Sequence, residues 1–443
     1  MLSIYTPEQA SQTILRRVPL DEMPIPPALQ DGIFKVFGEA LSPEQAVRRI
    51  LGDVRQRGDA ALEEWSWRLD GRPPQPAAIP AADLEAALAG LPSEQRAALE
   101  TAAGRINRFY SRQPAGSWII EDGDGTLGQL MRPLRRVGLY IPGGLAPLAS
   151  TVLMSAVPAQ VAGVQQIAVA APPRRGTSSV DPLTLAACAL LGLTEVYAMG
   201  GAQAIAALAY GTQTIPAVDK IVGPGNLFVT LAKRQVFGVV GIDGLAGPTE
   251  TMIIADECAS PALAAADLLA QAEHDAMAAA ILLTPSRRLA QAVQGEVARQ
   301  VEALPRAETL AVSLSNRSGI VLTRDLEQAA ELANTYAPEH LCLSVSDPWR
   351  LAGKIRAAGG VFLGESSFEV LGDYVAGPSH VMPTSGTARF ASPLNVWDFV
   401  HLVHFVALDR ETGAALSHPA AALARAEALE AHARAAEARR SLA

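Results

Sequence analysis

Val137-Gly-Leu-Tyr-Ile141, running into Pro142-Gly143-Gly144, is a short apolar stretch that ends in a glycine turn, and the residues after it read as a buried helix at about 150–163. Working outward, further short strands read at Ile167–Ala171, Glu195–Met199 and Lys220–Val222, separated by helices at about 182–191 and 201–210. Strand and helix alternating at this spacing is the pattern of a parallel sheet whose crossovers are helices. The pattern returns with a strand at Thr251–Ala255, a helix at 261–277, a strand at Ala280–Thr284, a helix at 286–303, and more of the same to Val361–Gly364. The fold class is therefore α/β, with two Rossmann-like, doubly wound domains built on parallel sheets. Helical periodicity at 43–57 and 82–111 leaves the opening ~130 residues mostly helical, expected to complete the second domain across the chain. The tail, Ala420 to Ser441, is rich in Ala, Glu and Arg and predicts a helix. An isolated helix needs a surface to dock on, and another subunit can supply one, so the small helical terminal segments are expected to serve dimerisation.

At 443 residues the chain exceeds what one core usually serves. Its 49% apolar and 18% charged content is that of a globular protein. A net charge of -9 and only short basic runs, such as Arg132 to Arg136, argue against a nucleic-acid partner, which demands clustered Lys and Arg. The three cysteines, Cys188, Cys258 and Cys342, show no C-x-x-C spacing, so neither a disulfide framework nor a thiolate zinc site is expected. The opening Met1-Leu-Ser-Ile-Tyr5 carries no secretory signature, and no apolar run reaches membrane-spanning length. A cytoplasmic protein with no membrane partner is expected.

Polar residues gather where secondary structure alone does not require them. Gln271-Ala-Glu-His274-Asp275 ends an apolar helix and sets Gln271 and His274 three apart, on one face, where both can point at a metal or simply close the helix. Ala337-Pro-Glu339-His340 places an acid beside an imidazole just after a proline; both suit proton transfer near neutral pH, though the pair is also common on surfaces. Gly372-Asp373-Tyr374 and Gly377-Pro-Ser-His380 read as a glycine-rich loop with a carboxylate and a second imidazole. Glu427 and His432, five apart on the tail helix, stand about 140° from each other and would not share a face. Gly200-Gly201-Ala-Gln203 and Gly223-Pro-Gly225-Asn226 each follow a strand and open a helix, which permits close approach of an anion, but neither matches G-x-G-x-x-G.

Together, in one consistent order from about residue 30 onward, these segments resemble the histidinol dehydrogenase family. The stretches that carry the resemblance are Tyr140-Ile-Pro-Gly-Gly144, Gly200-Gly-Ala-Gln-Ala-Ile205, Asp219-Lys-Ile-Val-Gly-Pro-Gly-Asn226, Gly247-Pro-Thr-Glu250, Gln271 to Asp275, Ala337 to Leu341, Gly372-Asp-Tyr374 and Pro378-Ser-His-Val381. The resemblance implies a homodimer with shared active sites, oxidising an amino alcohol through an aldehyde with two NAD. It implies one Zn2+ per subunit held by Gln271, His274, Asp373 and the partner subunit's His432. It puts Tyr140, Gln203 and Asn226 at NAD, and Thr249, His340, His380 and Glu427, with the four metal ligands, at the substrate. Glu339 and His340 are the implied catalytic residues. Position 249 is Thr where the family more often has Ser; Gly143 to Leu148 lacks the residues usual after the glycine pair; and Ala428 stands where a glycine is usual, which predicts a more helical tail.

On this reading residues 1–28 form an N-terminal arm at the dimer contact. Residues 29–139 and 249–394 make the larger α/β domain with zinc and catalysis, 140–248 the NAD-binding domain, and 395–443 the C-terminal dimerisation segment. The nearest alternative is a related zinc and NAD alcohol dehydrogenase acting on another polar alcohol, such as a sulfonated diol; Glu427, His380 and His432 favour histidinol. A non-catalytic metabolite-binding protein is a different class, and it has no need of the adjacent proton carriers Glu339 and His340.

Overall fold

The computed structural model describes residues 2–18, 25–71, 78–123, 125–143, 148–174 and 176–439. Five parallel strands form one sheet in the spatial order Glu195–Ala198, Gln166–Ala171, Arg136–Tyr140, Lys220–Val222, Gly241–Ile242. Counted along the chain this is 3-2-1-4-5, so the crossovers go one way from the Arg136–Tyr140 strand and then the other, the doubly wound arrangement. The second parallel sheet repeats that order with Gly319–Leu322, Ala279–Thr284, Glu250–Ala255, His340–Ser344 and Gly360–Leu363, and Ile4–Tyr5 adds a sixth strand at its edge. Each expected strand is present to within a residue or so. Continuous apolar strands make sense here because both sheet faces are covered. In the second sheet Met252, Ile254, Ile281 and Leu283 face one core, while Ile253, Ala255 and Leu282 face the other.

The N-terminal half differs from its expectation. Pro43–Arg57 begins with a full capping box, Ser42 with Gln45, and buries Val47, Ile50 and Val54. With Trp65 of Asp59–Asp70, these residues enter the core of the five-stranded sheet rather than that of the later one. The stretch 82–111 is two helices, Ala81–Ala89 and Ser93–Tyr110, because Pro92 cannot continue the first. The opening residues, expected as an arm, pair Ile4 and Tyr5 with Ile320 and Val321 of the same chain.

A second unit, Gln113–Leu134 with Phe399–Ala443, holds an element absent from the sequence reading. Val400–Leu408, Gly125–Pro133 and Trp118–Asp122 form an antiparallel sheet in that order. It leaves Ile119, Ile120, Leu127, Leu402, Val403 and Phe405 exposed. The tail is not one helix: Arg410–Ala426 and Glu430–Glu437 are separated where Ala428 takes φ 60°. The left-handed turn that glycine would make freely is thus kept despite a Cβ, at a cost of roughly 1 kcal/mol. The 140° separation of Glu427 and His432 on a continuous helix accordingly does not apply.

Candidate active site

The first cluster lies at the amino ends of neighbouring strands in the six-stranded sheet. Glu250 begins one strand and His340 the next, with His340 in register with Thr251. The helix before His340, Leu326–Tyr336, stops at Ala337, which has φ 51°, and Pro338 has no N–H to prolong it. Glu339 and His340 therefore leave the turn buried, against the alternative that they are surface residues.

A buried carboxylate needs donors. Glu339 Oε2 accepts from the Thr249 hydroxyl at 2.7 Å and from the Glu250 amide at 3.0 Å. Burial still pushes its carboxyl up to about 7. His340 Nδ1 lies 3.3 Å from the Glu250 carbonyl oxygen, which can only accept and so favours hydrogen on Nδ1, leaving Nε2 as the nitrogen that faces the pocket. That Nε2 is buried without a hydrogen-bond partner, 3.6 Å from Asp373 Oδ1. Burial opposes a charged ring, but the carboxylates of Glu369, Glu339 and Asp373 outweigh it and push the imidazole up to about 10. With these carboxylates around it, His340 holds its second proton at neutral pH, and the neutral ring, the form able to accept, grows in population as pH rises toward 10.

Gln271 is buried in the last turn of Pro261–Ala272; its amide nitrogen donates to the Thr249 hydroxyl and stands 3.3 Å from His340 Nδ1. The helix ends there, so His274 does not share a helical face with Gln271. It sits exposed in the following turn, its amide bonded to the Gln271 carbonyl. Asp373 lies on the short helix Glu369–Tyr374, not in a loop. Its carbonyl accepts from His380 Nδ1 at 2.8 Å, and the Thr151 hydroxyl reaches His380 Nε2 at 3.2 Å. Thr151 belongs to Ala149–Val161, the helix following the Tyr140 strand, so this bond ties His380 to the other sheet. Glu427 and His432 belong to the second unit, where both are exposed and neither joins this network.

The second cluster is the crevice where the five-stranded sheet reverses direction, beyond Tyr140 and Val222. Tyr140 is buried, its hydroxyl accepting from the Gly201 amide at 3.1 Å. Gln203 is buried in the first turn of Gly201–Tyr210; its amide donates to Asp70 at 3.2 Å and leaves Oε1 without a partner. Asn226 caps Leu227–Val236, accepting from the amides of Phe228 and Val229. Gly223 has φ +115°, and a Cβ there would stand 2.1 Å from the Tyr140 carbonyl oxygen, so only glycine fits. The expectation for Gly144 and the segment after it falls on residues 144–147, outside the described residues.

Several positioning residues escaped the sequence reading. Tyr110 hydroxyl accepts from the Ser379 amide and donates to the Leu394 carbonyl, both at 2.8 Å, which fixes the turn carrying His380. Lys233, buried, pairs with Asp243 and donates to the Gly223 carbonyl at 2.9 Å. Glu369, buried 3.8 Å from His340 Nδ1 and bonded to the Thr251 hydroxyl, had a signal: it precedes Asp373 by four, one helical turn. Tyr110 pairs with residues too distant in sequence to be guessed.

A doubly wound sheet with its switch point at the Tyr140 and Lys220–Val222 strands, beside a second sheet carrying a buried acid and imidazole, is the arrangement of a dinucleotide-dependent oxidoreductase. The chain matches the histidinol dehydrogenase family over residues 39–440. It is 56% identical over 420 residues to a histidinol dehydrogenase of Deinococcus radiodurans, covering 94% of this chain and 95% of that one. It is 55% identical over 397 residues to that of Thermus thermophilus, covering 90% and 94%. The crystal structure of histidinol dehydrogenase from Elizabethkingia anophelis superposes with a TM-score of 0.89 at 34% identity, over 99% of this chain and 98% of the other. The chain belongs to the histidinol dehydrogenase family and is an NAD-dependent oxidoreductase.

Proposed function

We propose that the protein is an L-histidinol dehydrogenase, oxidising L-histidinol through L-histidinal to L-histidine with two NAD, the last step of histidine biosynthesis. The observation that carries this is the buried Glu339–His340 pair, in which each residue is held ready for a different proton transfer. The Nδ1 of His340 is turned to the Glu250 carbonyl and Nε2 is without a partner, so in the neutral ring Nε2 is the atom that accepts the hydroxyl proton as the alcohol is oxidised. Glu339 uses Oε2 for Thr249 and the Glu250 amide, which leaves Oε1 to take a proton from the water that attacks the aldehyde. Thr249, His380 and Glu427 are proposed substrate contacts, and Tyr140, Gln203 and Asn226 the NAD contacts.

Among the described residues no group of three or more His, Cys, Asp or Glu side chains is arranged to hold a metal ion. A zinc site completed from two chains is compatible with that. Gln271, His274 and Asp373 supply nitrogen and oxygen donors of the kind zinc takes. Three carboxylates around one imidazole leave the pocket rich in negative charge, which favours a cation. When bound, zinc would orient the substrate and NAD would accept the electrons of each oxidation. The partner subunit's His432 is the proposed fourth ligand. The uncovered apolar side chains of the antiparallel sheet support a homodimer, since a sheet bare on both faces invites a second copy.

In the proposed division 140–248 is the NAD-binding domain, 29–139 with 249–394 the larger domain whose later part carries the zinc and proton carriers, and 1–28 and 395–443 serve the dimer. No helix among the described residues is long and apolar enough to cross a membrane. A cytoplasmic site of action is proposed from the biosynthetic role. The deciding measurement is NADH formed per histidinol consumed: the proposal requires two, and a value of one, with the aldehyde accumulating, rejects the four-electron reaction. Inactivity on histidinol with turnover of a sulfonated diol would establish the alternative substrate.

A further inference from the structure

The hydrogen-bond partners of Arg17 among the described residues lie more than 200 positions away, yet they converge on the turn that delivers Glu339 and His340. Its guanidinium forms a two-pronged ion pair with Glu250, whose carboxylate is only 1% exposed. The same group donates to the Tyr336 carbonyl at 3.1 and 2.6 Å and to the Ala337 carbonyl at 3.3 Å, while its carbon stacks 3.6 Å from the centre of the Tyr336 ring. Those carbonyls belong to the left-handed turn immediately before Pro338. Glu250, at the other end of the clamp, gives its amide to Glu339 and its carbonyl to His340. Both proton carriers are thus hydrogen-bonded to the backbone of the residue whose side chain Arg17 holds, and the turn they leave is gripped by the same cation.

We propose that Arg17 is a positioning residue for the Glu339–His340 pair, setting it by bridging Glu250 to the carbonyls of Tyr336 and Ala337. A guanidinium suits this task because its donors lie in one plane and serve a carboxylate and two carbonyls at once; an ammonium neutralises Glu250 without spanning the turn. Glu250 follows Thr249 in the Gly247-Pro-Thr-Glu250 stretch, but the oxidation chemistry itself gives the Glu250 side chain no role. Its job on this account is to receive Arg17.

The kinetic part rests on the histidinol reading, so two independent readouts are needed. In the apo wild type and in Arg17→Lys, backbone hydrogen exchange of residues 337–343 is followed by mass spectrometry; faster exchange in the variant is expected, whatever the substrate. With histidinol and NAD, Arg17→Lys should lose about 10- to 100-fold in kcat, the penalty of small misplacement at a reacting centre, with both KM values within about twofold. Glu250→Gln should lose a similar factor, and the double variant little more than either, because both break one unit. Should Glu250→Gln fail to fold, Arg17→Lys alone decides. Unchanged exchange in Arg17→Lys overturns the clamp, as does a kcat equal to wild type with only a lower melting temperature. A wild type that does not oxidise histidinol overturns the substrate reading and leaves the exchange result to judge the clamp.

Discussion

Glu339 sits where one carboxylate oxygen is occupied twice and the other is free, and this asymmetry assigns its work. Glutamine keeps the shape and can still accept from Thr249 and the Glu250 amide, but it cannot take a proton from water. Glu339→Gln should therefore slow histidinal oxidation by a factor of ~10²–10⁴ while slowing histidinol oxidation far less. Single-turnover assays started from each substrate test this, and equal losses would sink the division of labour. A second residue-scale prediction concerns Asp267, which burial, helped by Glu365, raises from 3.8 to about 6. Between those values the folded chain binds the extra proton, so this group makes stability fall as pH rises through the window. Asp267→Asn should stabilise by on the order of 1–2 kcal/mol above pH 6 and hardly at all near pH 4. Denaturant melts at both pH values measure it; a gain as large at pH 4 contradicts it. At this scale the sequence was legible where chemistry is local. Glu339 and His340 declare themselves as neighbours after a proline, and Gln271 as a polar break in an apolar helix. Arg17, Tyr110 and Thr151 were not legible, since the partner of each lies over 200 residues away and nothing in the intervening pattern links them.

At the scale of elements, the loop at the switch point, the proposed nucleotide site, is held by a buried ion pair. Gly223 must pass over the Tyr140 carbonyl, and Asp243 fixes its amide at 2.7 Å while Lys233 fixes its carbonyl. The ion pair between those two side chains is buried, so removing one partner leaves an uncompensated charge, at a cost of about 3–5 kcal/mol. Lys233→Met, similar in volume, should lower stability and raise the KM for NAD by on the order of tenfold, equivalent to ~1.4 kcal/mol, without changing the KM for the alcohol. Initial-rate kinetics with each substrate varied check this; a larger shift for the alcohol than for NAD places the loop elsewhere. Strands buried on both faces were easy to read because they are continuous apolar runs between turns. Val400–Leu408 was not, although it is equally apolar: its nearest pairing partner, Gly125–Pro133, lies some 270 residues earlier, and antiparallel pairing across such a gap leaves no local turn signal. The break at Ala428 was hidden for the opposite reason, since alanine is the best helix former and tertiary structure overrides that preference.

For the whole molecule, the question is whether the site closes within one chain. The six-stranded sheet brings Gln271, Asp373, Glu339 and His340 together, while His432 is exposed in the second unit, which presents apolar side chains to solvent. The proposed homodimer, exchanging these tails, would complete two equivalent sites by two-fold symmetry. His432→Ala and Gln271→Ala homodimers should each be nearly inactive and still dimeric. Mixed by unfolding and refolding, one subunit of each kind makes a dimer in which one site carries both defects and the other carries neither. Such heterodimers, isolated through different affinity tags, should regain up to about half of wild-type activity per dimer and bind one zinc in place of two. If His432 acts within its own chain, each site of the heterodimer keeps one defect and no activity returns. Absence of recovery in dimers shown to be mixed therefore refutes the shared site, and recovery in proportion to the heterodimer fraction establishes that the tail works across the interface.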